Sequence, residues 1–108
     1  MEQQLIVTTT DSVPGREVAT LLGIARGSTV RSRHVGRDIT AVFKTIVGGE
    51  VEEYTSLQAD AREQALQRMR EDAARLSAHA VVTVRFETAM VANGAAELLA
   101  YGTAVELR

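Results

Sequence analysis

The sequence predicts an α+β domain: an antiparallel sheet of three to four strands ending in a C-terminal hairpin, packed on one long and one short helix. Three observations predict it. Apolar residues recur every three or four positions from Tyr54 to Leu76, the period of a helix with one buried face. Asn93-Gly94, the preferred two-residue type I′ turn, separates two runs of similar length that can pair. Two earlier runs are rich in β-branched and apolar residues and are bounded by turn chemistry.

Leu5 to Thr10 is the first of these runs, short and β-branched, and reads as a strand. Asp11-Ser12-Val13-Pro14-Gly15 reads as a turn, since Pro presets φ and Gly accepts a positive one. Glu17 to about Val30 reads as a second strand. Its residues Val18 to Ala25 do not alternate, the pattern of a strand covered on both faces. Gly23 and Gly27 within it suggest a bulge or a close backbone approach.

Asp38 is a plausible N-cap for a short helix to about Ile46, with Ile39, Val42, Phe43 and Ile46 on one face and Gly48-Gly49 at its end. The long helix, about residues 50–77, carries Tyr54, Leu57, Ala61, Ala65, Met69, Ala73 and Leu76 as a single stripe. Arg62 and Asp72 fall on or beside that stripe, and charges facing inward have to be paired. In the hairpin, uninterrupted pairing around Asn93-Gly94 sets Phe86 opposite Tyr101, Val84 opposite Thr103 and Val82 opposite Val105. That face is expected to receive the helix. The other face has small residues and one charge of each sign, Arg85 and Glu87.

One helix covers only one face of such a sheet. The remaining apolar area is unusual for a monomer, so self-association is expected. The 108 residues make a single domain, 1–108. Net charge is −2 and there are four aromatic residues, so neither a basic field nor a row of stacking platforms points to nucleic acid. Arg26, Arg31, Arg33 and Arg37 form a local basic stretch that acidic residues elsewhere offset. No apolar run approaches the roughly 20 residues that span a bilayer, and no secretory signal opens the chain. Cysteine is absent, which fits a cytoplasmic location and removes thiolate chemistry.

Ile6-Val7-Thr8-Thr9-Thr10 with Val13-Pro14-Gly15 resembles the opening of the YbjQ-like family, short proteins labelled "putative heavy-metal-binding". Gly23-Ile24-Ala25-Arg26-Gly27, Gly36-Arg37-Asp38-Ile39, Gly48-Gly49-Glu50, Ala61-Arg62-Glu63, Arg85-Phe86 and Tyr101 to Val105 extend the resemblance over nearly the whole chain in order. It implies a compact α+β subunit of a ring, a homopentamer or a multiple of it. The chain departs from the family pattern at Ser77-Ala78-His79-Ala80, where the family has Gly-Ala-Asp-Ala or Gly-Ala-Asn-Ala. It departs again at His34, where an Asn is usual.

The residues contain no catalytic signature: no Gly-x-Ser-x-Gly elbow, no phosphate-binding loop and no dinucleotide fingerprint. A soft metal wants sulfur, and only Met1, Met69 and Met90 offer it, the last two reading as core. His34 and Asp38 are spaced i,i+4, usable for zinc on a helix, but Gly36 lies between them and Asp38 reads as a cap. No cofactor is expected. The first expectation is therefore a non-enzymatic, oligomer-forming binding or scaffold protein, metal-binding by family label alone. The alternative is a protein that binds a small anionic metabolite at subunit interfaces through Arg37, Asp38 and Arg62. An enzyme of unknown reaction ranks third.

Overall fold

A computed structural model describes residues 4–32, 50–92 and 95–108, and the side chains of 4–30, 60–90 and 95–108. The elements are β1 (Ile6–Val7), β2 (Val18–Ser32), α1 (Glu50–Arg75), β3 (Ala80–Ala92) and β4 (Ala95–Leu107). They form one four-stranded sheet in the order β1-β3-β4-β2, with α1 lying mainly on β2 and then on β4. The fold is α+β, as the patterning implies. The expected short helix at 38–46 lies outside the described residues.

The sheet is mixed rather than antiparallel, because β1 runs parallel to β3, pairing Ile6 with Ala80 and Val7 with Val81. The first strand is also shorter than Leu5–Thr10. Beyond Val7 the chain turns to serve a bulge in β3. The Thr83 and Val84 amides donate to the carbonyls of Thr10 (2.8 Å) and Thr8 (3.0 Å). Arg85 Nη1 donates to the Thr9 carbonyl at 3.0 Å. The turn that follows closes with Arg16 N–H on the Val13 carbonyl at 3.1 Å, around Pro14 and Gly15 (φ 77°).

That bulge moves the register. Val82 pairs with Thr103 but Arg85 with Tyr101, so Thr83 (φ 55°) and Val84 together face Gly102. A second shift lies between Met90 and Ala92. Phe86 consequently stands opposite Ala100, not Tyr101, and Val82 opposite Thr103, not Val105. One inserted residue sends every later side chain to the other face.

Phe86, opposite Ala100, therefore falls on the helix side of the sheet, and the helix does not sit on the face of Val82, Tyr101 and Val105. It sits on the small-residue face, where Ala25, Ala100 and Ala104 are fully buried together with Val81, Val84 and the helix residues Ala65, Met69 and Ala73. Small residues let the helix axis approach the sheet. At Gly27 the approach is closest: a Cβ built there would overlap the Met69 backbone nitrogen and the Ala65 backbone oxygen. Of the residues of the expected stripe whose side chains are described, Ala61, Ala65, Met69 and Ala73 are buried, while Leu76 lies past the helix end and is exposed. Met90 is not core either; it is 74% exposed, because the helix lies over β2 and leaves the far half of β3 uncovered.

α1 ends in a Schellman motif. Ala78 N–H donates to the Ala73 carbonyl (3.2 Å) and Ser77 N–H to the Ala74 carbonyl (3.0 Å). The position that favours glycine is Ser77, held at φ 59°. A left-handed conformation costs an L-residue roughly 1–2 kcal/mol, and glycine's extra unfolded-state entropy returns part of that. Ser77→Gly is thus expected to stabilise the fold by about 0.5–1 kcal/mol, read as a higher urea midpoint; an unchanged or lower midpoint would contradict the strain.

Candidate interaction surface

β2 is an edge strand of 15 residues, and α1 ties itself to that strand through polar side chains as well as through apolar contact. Thr29, buried, donates from Oγ1 to the Ala61 carbonyl at 3.3 Å. Asp72 Oδ2 accepts the Arg26 backbone N–H at 3.0 Å. Arg68 Nη1 donates to the Ser28 backbone carbonyl. In an antiparallel pair, the N–H and C=O of one residue point the same way and alternate along the strand. Arg26 and Ser28 therefore share the outward edge, and two helix side chains occupy groups that an additional strand would need. Asp72, flagged by its place beside the stripe, is half-buried and satisfied here, with Arg75 Nη2 3.7 Å from its other oxygen. Arg62, expected beside the stripe, is exposed instead.

The face of the sheet opposite α1 is closed at one end and open at the other. At the closed end Ala80, Val82, Val105 and Leu107 pack with Ile6 and Val13 into a second small core. His79 supports this end. Its Nδ1 accepts the Leu107 N–H at 2.8 Å, which places the imidazole proton on Nε2. Its backbone carbonyl accepts from Ile6 (3.1 Å) and its N–H donates to Val105 (2.9 Å).

On the same face of β2, Leu21 beside Val105, Ile24 beside Thr103 and Val30 beside Glu97 are 72%, 67% and 58% exposed. The second strand is thus covered on one face only, not on both. Between these residues the register sets rows across the sheet: Arg26 beside Tyr101 and Arg85, then Ser28 beside Leu99 and Glu87, then Val30 beside Glu97 and Ala89. The Tyr101 hydroxyl donates to Glu87 Oε1 at 3.4 Å. The register shift between Met90 and Ala92 is what sets Arg85 and Glu87 beside Tyr101 and Leu99; uninterrupted pairing from the turn would set them opposite Gly102 and Ala100, on the helix face. No local sequence signal marks that shift. Arg26 was legible only as one of a basic stretch, and Arg68 not at all.

Of the expected ligand-binding residues, Arg37 and Asp38 lie outside the described residues, as does His34. Among the described residues no three histidine, cysteine, aspartate or glutamate side chains converge where an ion could bind. Their donor chemistry does not suit a soft metal. There is no thiol, Met69 is sealed in the core, Met90 is exposed but lies in no such cluster, and His79 Nδ1 is engaged by the backbone. No described helix is long and apolar enough to cross a membrane.

Residues 5–108 match a family model, YbjQ_1, described as "putative heavy-metal-binding". A UPF0145 protein of Archaeoglobus fulgidus is 60% identical over 108 residues, covering the whole of both chains. One from Thermus thermophilus is 55% identical over 104 residues, 96% of this chain and 91% of its own. A solved structure from Pediococcus pentosaceus, a protein of unknown function of the DUF74 family, superposes with a TM-score of 0.63 at 14% identity, over 96% of this chain and 98% of its own. That last likeness bears on the fold alone.

Proposed function

The chain belongs to the YbjQ-like family, and from that premise we propose that it is a self-associating binding or scaffold protein whose subunits bury the open sheet face of β2 between them. The observation that carries this reading is the exposure of Leu21, Ile24 and Val30 on one face of one strand. Leu21 and Ile24 adjoin on that face and Arg26 and Ser28 separate them from Val30; large apolar side chains left bare together on one face of a strand are what a covering partner would explain. The outline of the subunit supports it. The radius of gyration is 17.2 Å and the extents are 53 × 26 × 24 Å, against roughly 13 Å for a compact chain of about this length. A long, narrow subunit leaves much of its surface to be covered by neighbours. A ring of five chains or a multiple of it, in the cytoplasm, completes the proposal, on the family resemblance and on a chain without cysteine.

The heavy-metal description is not carried into this reading, because the described residues do not fit such an ion. Light scattering on a sizing column tests the proposal. The parent protein is expected to be a discrete oligomer at micromolar concentration. Ile24→Lys, which places a charge in the bare face, is expected to shift it to smaller species while its circular dichroism is unchanged. A monomeric parent would sink the reading.

A further inference from the structure

We propose that His79 is an acid-sensitive latch: it holds the C-terminal end of β4 while its imidazole is neutral and releases it when the ring takes a second proton. The geometry carries the proposal. β3 begins at Ala80, opposite Val105, so no residue of β3 stands across from Leu107. Leu107 is only 6% exposed, and its amide needs an acceptor on that side. The next amide, Arg108 N–H, turns the other way, to the Glu17 carbonyl at 2.8 Å. His79 Nδ1 takes the Leu107 N–H at 2.8 Å, in the place where a paired strand would offer a carbonyl. The main chain of the same residue bonds Val105 and Ile6. One histidine therefore joins β4 and β1 to the junction between α1 and β3.

An imidazole accepts through Nδ1 only when it is neutral; with a second proton both nitrogens donate. The charged ring would set an N–H against the Leu107 N–H, so the bond and the charge exclude each other. Histidine changes charge between about pH 5 and 8. The latch is thus closed above that window and opens as pH falls through it. Among the described residues the ring makes no ion pair and no other hydrogen bond, so no carboxylate holds the charged form in place. The charged groups on the surrounding elements are Glu106 and Arg108 at the end of β4, Asp11, Arg16 and Glu17 between β1 and β2, and Asp72 and Arg75 in the last turn of α1. Arg108 pairs with Glu17 at 4.0 Å and Arg75 with Asp72 at 3.7 Å. β1 carries no charge. Release at Leu107 opens the second small core, where that side chain packs with Val82, Val105, Ile6 and Val13.

Amide hydrogen exchange on the intact protein tests this. Protection of the Leu107 N–H, taken relative to the unfolded chain at each pH, is expected to fall roughly tenfold or more between about pH 8 and pH 5. The Ala73 amide, inside α1, is expected to keep its protection and serves as the internal control. In His79→Asn the side-chain carbonyl oxygen accepts without titrating, and Leu107 is expected to stay protected at both pH values. In His79→Leu, which has no acceptor, protection is expected to be low at both. The nitrogen shifts of the parent's own ring give a readout that needs no variant. They are expected to place the proton of the neutral form on Nε2, with the Leu107 amide shift moving in step as the ring titrates. Equal protection of Leu107 at the two pH values, a His79→Asn chain that loses as much as the parent, or a neutral ring protonated on Nδ1 would each overturn the latch.

Discussion

Gly27→Ala is expected to lower stability by about 3 kcal/mol or more, the largest loss from any single added methyl among the described residues. The added Cβ would meet backbone on two sides, the Met69 nitrogen and the Ala65 oxygen, and a helix backbone cannot rotate aside as a side-chain end can. The accommodation available is for α1 to lift from β2. That would loosen Ala61, Ala65, Met69 and Ala73 together and pull Asp72 and Arg68 from their hydrogen bonds on the strand. Since 1 kcal/mol moves the melting temperature of a domain of this size by roughly 4–8 °C, the midpoint should fall by more than about 12 °C. Parent and variant must be compared at one protein concentration, because association raises the apparent midpoint. A Gly27→Ala chain that melts within a few degrees of the parent would show that the helix does not lie this close.

Met69→Ala should be next, at about 2–5 kcal/mol. Met69 is the largest side chain of the helix stripe that is wholly buried, and its neighbours are mostly alanines and valines, too short to close the cavity left behind. Met90→Ala is the matched control. The same change at a residue 74% exposed should stay within about 0.5 kcal/mol in the dissociated chain. Urea denaturation of both variants decides the matter. Similar losses at the two positions would mean that α1 does not select between the halves of the hairpin as described.

The two methionines mark how far the sequence can be read. Met69 belongs to an i,i+4 series with Ala61, Ala65 and Ala73, and a series of that kind identifies its own buried face, because a helix repeats every 3.6 residues whatever surrounds it. Met90 lies in an alternating run, and alternation says that two faces differ without saying which one meets the helix. The choice of face was assigned by hydrophobicity and turned out the other way. Larger side chains would give more area to bury, but the alanines and glycines of the opposite face let the helix come close enough for its backbone to touch the strand. Gly23 and Gly27 could be read in advance as points of irregularity or close approach, and both are: Gly23 sits at a register shift of β2 with φ 128°. The candidate surface was less legible. That some sheet area would stay bare followed from counting helices against faces. Which residues form it did not, since Arg85 and Glu87 reach that surface through the register shift between Met90 and Ala92.

The sequence by itself determined the long helix, the strands and their order, because local periodicity and turn chemistry are properties of the chain alone. The tertiary structure decided the register, the face that α1 occupies and the grouping of charges on the open side. A β-bulge is stabilised from outside its own strand, here by the Thr8 and Thr10 carbonyls some 70 residues away in the chain, and a single inserted residue exchanges the two faces for everything beyond it.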